Sequence, residues 1–280
     1  MNALGVIEGP QGAAAYWSSI DWTRIRRHVS RLQARIVKAV RAGKWHRVRC
    51  LQRLLAGSFA AKLLAVKRVS SNRGKRTAGV DGVVLETPAQ KWRQSQQLNA
   101  KDYKPKPLRR IYIPKKNGKR RPLGIPVQAD RAEQALELLA LDPVAETLAD
   151  RCSYGFRKER STQDAMAGCF LALCRRQSAE WILEGDIRGC FDYLRHDWLV
   201  DHIPTDKGKL RAWLKAGYLE QEVFHPTAAG TPQGGIVSPT AANMALDGLE
   251  GRLQMRFKGR HKVNLVRFAD DCAPGNVCTR

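Results

Sequence analysis

The chain reads as an α+β protein, and three features carry that expectation. Amphipathic helices stand near the front, a strongly basic β-hairpin follows, and hydrophobic runs ending in aspartates come later. The first fifteen residues are rich in Gly and Ala and are expected to be loosely ordered. Trp22, Ile25, Val29, Leu32, Ile36 and Val40 then recur at spacings of three and four, the period of a helix with one buried stripe. Arg24, Arg27, Arg31, Arg35 and Lys38 fall largely on the remaining surface, and Gly43 ends the helix. A second segment repeats the pattern, with Trp45, Val48, Leu51, Leu55, Phe59 and Leu63 inward and Arg47, Arg49 and Arg53 outward, so a helical hairpin is expected. Ser70 to Gly82 is a loop by composition. Its Gly74-Lys75 is no phosphate-binding loop, because Val69 and Arg76 stand where that motif needs Gly and Ser or Thr.

Charge narrows the partner. The chain carries 49 Lys and Arg against 26 Asp and Glu, a formal net charge of +23. Such an excess calls for a polyanion, since cationic side chains displace the counterions condensed on phosphates. Nucleic acid is favoured over a membrane: no stretch nears the ~20 apolar residues of a spanning helix, and the first thirty residues lack the pattern of a secretory signal. A cytoplasmic location is expected. The seven cysteines are odd in number and form no C-x-x-C pair, which argues against a disulfide framework and a zinc ribbon. With 280 residues and 43% hydrophobic composition, the chain can bury a core spread over two subdomains.

The most basic stretch is 101–126, where ten Lys and Arg stand against Asp102 alone. Arg110-Ile111-Tyr112-Ile113 alternates like a strand, Asn117-Gly118 supplies a tight turn, and Arg121 to Ile125 returns. Such a flap can fold cations over a triphosphate. Ser153-Tyr154-Gly155-Phe156-Arg157 and Arg160-Ser161 offer rings for stacking on bases and guanidinium groups for phosphates. Gly230-Thr231-Pro232-Gln233-Gly234-Gly235 would let the backbone approach a nucleotide, with Gln233 offering a donor and an acceptor, and a helical run is expected from Thr240 to Leu253. Trp181 to Gly185 reads as a short buried strand ending in Asp186, with Ile187 and Phe191 beyond it. Val263 to Val266 leads to Asp270 and Asp271, which reach a shared cation only if the chain turns sharply at the pair, as at a hairpin tip. An Asp-Asp pair by itself is more often a solvated turn. Three carboxylates on two strand ends fit a centre for two Mg²⁺ ions, which take oxygen ligands.

Taken in order, these segments resemble the reverse transcriptases encoded by group II introns, the maturase-type enzymes, from about Trp17 to Asp271. Leu51-Gln52-Arg53-Leu54-Leu55 and Lys62-Leu63-Leu64-Ala65-Val66 look like the N-terminal region of that family. Arg109 to Lys115 and Arg121 to Pro126 look like its fingers hairpin, and Asp130-Arg131, Gln134, Ser153 to Ala165, Gly230 to Pro239 and Phe268 to Asp271 follow in family order. The resemblance implies a right-hand polymerase fold: 1–80 an RNA-binding N-terminal helical extension, 81–180 the fingers with the basic hairpin, and 181–280 a partial palm, an antiparallel sheet backed by helices, with the thumb absent. It implies that Asp186, Asp270, Asp271 and the carbonyl of Ile187 hold Mg²⁺. Phe191 would exclude a ribose 2′-hydroxyl, Lys115 and Arg121 would meet the triphosphate, and Gln233 would lie against the nucleotide. Arg27, Arg31, Arg35, Arg157 and Arg160 are expected to contact RNA.

The implied partners are intron RNA, an RNA template with a DNA primer, and deoxynucleoside triphosphates. Phe268 stands where the family usually has Tyr. After Asp271 the family continues with the return strand of the catalytic hairpin, whereas here Pro274-Gly275 is expected to break a strand. A truncated, inactive form is therefore expected, with a non-catalytic RNA-binding splicing cofactor or a disrupted reading frame as alternatives.

Overall fold

A computed structural model describes residues 10–114, 118–174, 181–257 and 261–278. Helix begins earlier than composition implies: Pro10–Ser19 (α1) is helical, with proline at the first position, where its missing N–H costs nothing. Trp22–Arg41 (α2) starts at Asp21, whose carboxylate accepts from the amides of Thr23 and Arg24 at 2.9 and 3.0 Å. The expected second helix is two, Trp45–Gly57 (α3) and Phe59–Ser71 (α4), because Ser58 takes an extended conformation and caps α4 through the amide of Ala61. Trp45 lies exposed rather than inward. Pro88–Gln97 (α5) opens with a capping box from Thr87 and Gln90.

Leu108–Pro114 (β1) and Arg120–Ile125 (β2) form the expected antiparallel hairpin, in register from Arg109 opposite Ile125 to Pro114 opposite Arg120. Lys115, assigned to the triphosphate, lies outside the described residues. Gln128–Leu148 (α6) follows, then Thr162–Leu173 (α7) and two strand fragments, Trp181–Ile182 (β3) and Gly185–Asp186 (β4). The expected buried strand before Asp186 is thus interrupted, and Ile182 and Leu183 are exposed. His196–His202 (α8), Lys207–Leu214 (α9), Tyr218–Glu220 (β5) and Val223–His225 (β6) come next. The run expected as one helix from 240 to 253 divides into Ser238–Leu246 (α10) and Leu249–Arg256 (α11), because Gly248 takes a φ of +95°.

His261–Phe268 (β7) and Asp271–Cys278 (β8) close the described chain. This overturns the expectation that the tail cannot pair. The backbone of β8 runs antiparallel to the whole of β7, with Pro274 opposite Leu265 and Gly275 opposite Asn264. The other flank of β8 pairs with β3 and β4. Pro274 lacks an amide hydrogen, which a strand tolerates where that position owes no ladder bond.

The strands make two sheets. One has the order β2-β1-β5-β6, antiparallel except that β1 and β5 run parallel; the other is the antiparallel set around β8. Helix α6 is buried on nearly every face. The buried stripes of α2, α3 and α4, including Val29, Ile36, Val48, Leu55 and Val66, meet its Ala132, Leu136 and Leu139 in one core. Its Leu138 and Leu141 join a second core with Leu199, Leu210 and Trp213. The expected segments 1–80, 81–180 and 181–280 therefore share their interiors. Among the described residues no helix is long and apolar enough to cross a membrane.

Lys209 reaches α6 from α9, and its ammonium bonds Glu133 at 2.6 Å, Glu137 at 2.7 Å and the Asn99 side chain at 2.7 Å. Both carboxylates are buried, so the ammonium is what makes their charge tolerable. Lys209→Met should lower unfolding stability by about 3 kcal/mol, the cost of orphaning a buried charge, seen as a lower urea midpoint.

Candidate active site

Phe268 pairs with Asp271, so the β7–β8 turn consists of Ala269 and Asp270. Ala269 has a φ of +60°, a conformation that glycine takes freely and that costs other residues about 1 kcal/mol or more. What holds this strained tip is a buried polar cluster. Arg267 is 1% exposed. Its guanidinium donates to the Ala269 carbonyl at 3.2 Å, to Asn243 Oδ1 at 3.0 Å and to Asp247 Oδ1 at 2.7 Å. Asn243 and Asp247 sit one helical turn apart at the end of α10, and Asn243 also donates to the Gly155 carbonyl at 2.8 Å. The 152–155 segment runs beside the strand, with Tyr154 N bonded to Arg267 O and Arg267 N to Cys152 O, each at 2.8 Å.

The turn delivers the carboxylates. Asp186 on β4 stands directly opposite Asp271 on β8, so both side chains share one face of the sheet. The Ile187 amide donates to the Asp270 carbonyl at 3.2 Å, tying the third aspartate to the same strand end. Burial and the negative charges of Asp270, Asp186 and Glu184 hold the Asp271 carboxyl above its usual range. The donors are carboxylate oxygens, the chemistry that hard divalent cations take. Among the described residues, however, no three His, Cys, Asp or Glu side chains are gathered as a metal shell. The aspartates share a sheet end but not a preformed coordination sphere. Asp186 and Asp271 open onto a wide cleft of about 780 Å³, lined also by Met166, Val266 and Phe268.

The chain from Asp186 to Asp192 links this end to a second group. Phe191 is buried, with its ring edge-on to Phe156 at 5.9 Å, and its carbonyl accepts from Thr231 N at 2.7 Å. Gly230 makes that approach feasible: a Cβ there would lie 2.8 Å from the carbonyl oxygens of both Phe191 and Asp192. Gln233 follows in the same loop, and its carbonyl accepts from Gly124 N on β2 at 2.9 Å. Its amide meets Arg121 Nε at 2.8 Å and Asp192 Oδ1 at 3.3 Å. Arg121, Phe191 and Gln233, assigned together from sequence, are thus assembled, and Phe191 and Gln233 border a cavity of about 250 Å³ that Arg110 and Tyr218 also line.

One assignment needs correction. Arg157 and Arg160 were expected to contact RNA, yet the Arg157 side chain is 3% exposed and bonds Asp247 at 2.6 Å and Glu146 at 3.3 Å. Arg160 pairs with Glu146 and donates to the carbonyls of Arg151 and Ser153. Glu146 on α6 and Asp247 at the end of α10 turn Arg157 inward, where it braces the hairpin tip, while Arg160 stays partly exposed. Arg27, Arg31 and Arg35 are exposed on α2, opposite Val29, Leu32 and Ile36. Sequence reasoning missed Arg267, Asn243, Asp247, Gly155 and Asp192. A charged residue within the apolar run Leu-Val-Arg-Phe was the available signal for Arg267.

Known proteins resemble this chain over most of its length. A model of the N-terminal domain of reverse transcriptase matches residues 17–98, and a model of the reverse transcriptase (RNA-dependent DNA polymerase) matches 113–274. The chain is 36% identical over 208 residues to protein YkfC of Escherichia coli K12, covering 69% of this chain and 54% of that protein. It is 38% identical over 211 residues to the group II intron-encoded protein LtrA of Lactococcus lactis, covering 69% of this chain and 34% of that one. An uncharacterized 91 kDa protein in the cob intron of Schizosaccharomyces pombe is 34% identical over 200 residues, covering 67% of this chain and 24% of that one. The chain thus spans about half the length of the first of these relatives and less of the others.

The hairpin tip offers a direct test of the bracing. A Cβ on Gly155 would lie 2.3 Å from the backbone nitrogen of Ala269. Gly155→Ala should cost about 1 to 3 kcal/mol through overpacking, read from thermal unfolding, and should displace the turn that carries Asp270.

Proposed function

The chain belongs to the reverse transcriptase family, with relatives encoded by group II introns, and from that premise we propose that it is an RNA-directed DNA polymerase that extends a DNA primer on an RNA template. One observation carries the reading. The seven residues from Asp186 to Asp192 join a carboxylate-bearing sheet end to the group of Arg121, Phe191 and Gln233. Metal chemistry and nucleotide selection thereby meet along one short segment.

Asp186, Asp270 and Asp271, with the Ile187 carbonyl, would hold Mg²⁺, which when bound neutralises phosphate charge and favours the deprotonated primer hydroxyl. The protein's own part is to set those oxygens on a rigid turn and to supply a nucleotide wall. Phe191 is the wall's bulk. Its ring is buried and packed edge-on against Phe156, so a sugar bearing a 2′-hydroxyl meets a side chain already in place. Arg121, on the exposed end of the hairpin, brings a permanent positive charge to the triphosphate, and Lys115 is assigned the same role. Deoxynucleoside triphosphates are accordingly the substrates.

The exposed arginines of α2 support a further part of this reading, binding of structured intron RNA. Arg27, Arg31 and Arg35 follow one another at helical spacing on a face that no core claims. Binding of this kind rests on counterion release.

Asp270→Asn should abolish Mg²⁺-dependent primer extension while the fold persists, because the residue lies in a turn and its loss removes a ligand charge. Phe191→Ala should admit ribonucleotides, measured as the ratio of ribo- to deoxyribonucleotide incorporation; unchanged discrimination would refute the steric role. RNA affinity should fall about 10³-fold between roughly 50 and 200 mM salt if six phosphates are met, and replacing Arg27, Arg31 and Arg35 with Gln should flatten that slope without lowering the unfolding midpoint.

A further inference from the structure

The side-chain amide of Gln233 is gripped from two sides. Arg121 Nε donates to its Oε1 at 2.8 Å, and its Nε2 donates to Asp192 Oδ1 at 3.3 Å. A guanidinium can only donate and an ionised carboxylate can only accept. One orientation of the amide satisfies both; the flipped one sets N–H against N–H and oxygen against oxygen. An amide without such partners has two nearly equivalent states, since its terminal torsion is broad.

The supports of this lock are themselves fixed. Asp192 N bonds the Gly189 carbonyl at 2.8 Å within a tight turn, while the Gln233 carbonyl is anchored on β2 through Gly124. Arg121, on the hairpin, and the Asp192 side chain are both exposed, so the orientation of the amide depends on the two bonds together. After both bonds are made, the amide keeps one Nε2 hydrogen and one Oε1 lone pair uncommitted, each with a set direction.

We propose that Asp192 is a positioning residue for nucleotide binding: its carboxylate fixes the Gln233 amide so that one donor and one acceptor are presented in a single arrangement to an incoming deoxynucleoside triphosphate. The inference rests on the reading of Gln233 as a nucleotide contact. Its physical content is preorganisation, the ordering of a binding group before the ligand arrives.

The test is equilibrium binding of dGTP, with Mg²⁺ present, to the full chain and four variants by titration calorimetry. Gln233→Ala should weaken binding about tenfold, the scale of a hydrogen bond to a charged partner. Asp192→Ala should weaken it by about fivefold or more on the same scale, whereas Asp192→Asn, whose carbonyl oxygen still accepts from Nε2, should stay within about twofold. The double variant Asp192→Ala with Gln233→Ala should bind no more weakly than Gln233→Ala alone, because Asp192 acts only through the amide. A purely structural role would not give rescue by Asn together with this non-additivity. Asp192→Ala binding like the parent, or an undiminished further loss in the double variant, would overturn the proposal. Gln233→Ala binding like the parent would instead remove the nucleotide assignment of Gln233, a separate failure.

Discussion

Helix α6 sets the terms for the rest of the molecule, because a helix buried on nearly every face can keep polar side chains only if each finds a partner. Six of its residues are polar and buried, and each one pins a segment that would otherwise be loose. Gln128 holds the amide of Leu85 and the carbonyl of Lys75; Asp130 holds the Tyr103 hydroxyl and the Lys106 amide; Arg131 reaches the carbonyls of Gly74, Thr77 and Pro126. Glu133 and Glu137 take Lys209 from α9. Gln134 accepts from the Ile236 amide at 2.8 Å, which fixes the loop carrying Gln233. The order of the 230–236 loop thus begins in the core.

The carboxylate end depends on a second buried device of the same kind. Arg267 binds the turn's own carbonyl together with α10, and α10 binds the 152–157 segment through Asn243 and Asp247. A buried arginine is costly alone and tolerable when paired. Here the requirement for pairing is what joins β7, α10 and the 152–157 loop, and the strained φ of Ala269 persists because those neighbours leave it no alternative. Arg157 shares Asp247 with Arg267, so the residue expected to bind a phosphate from outside serves the site from beneath.

Periodicity and the chemistry held in short motifs are legible in the sequence. The buried stripe of α2, the two strands of the basic hairpin and a sharp turn beside the aspartate pair could be read from residue spacing, while the grouping of Asp186, Phe191, Gln233 and Arg121 came from family resemblance. Conformational punctuation and pairing over distance could not be read. Ser58 and Gly248 divide helices whose apolar period runs on unbroken, because capping and a positive φ leave no mark on hydrophobic spacing. Pro274-Gly275 argued against a return strand, yet ladder pairing on both flanks of β8 outweighs local propensity. Arg157 looked like a surface cation because nothing in the linear order reveals that Glu146 and Asp247 lie across from it.

Charge at two scales gives these details a common logic. A net charge of +23 makes the chain's far field attractive to polyanions, but the same field works against gathering cations at the sheet end. Glu184, Asp186, Asp270 and Asp271 reverse the sign locally, as the raised Asp271 carboxyl registers. Such a cluster survives in a basic protein only where the chain enforces it, since like charges separate when free to do so. Enforcement comes from backbone pairing, Asp186 against Asp271 and the Ile187 amide on the Asp270 carbonyl, and not from side-chain attraction. The acidic centre is therefore a product of strand register, and the neutral side chain of Asn243 supports it from beside the turn by holding Arg267 and the Gly155 carbonyl.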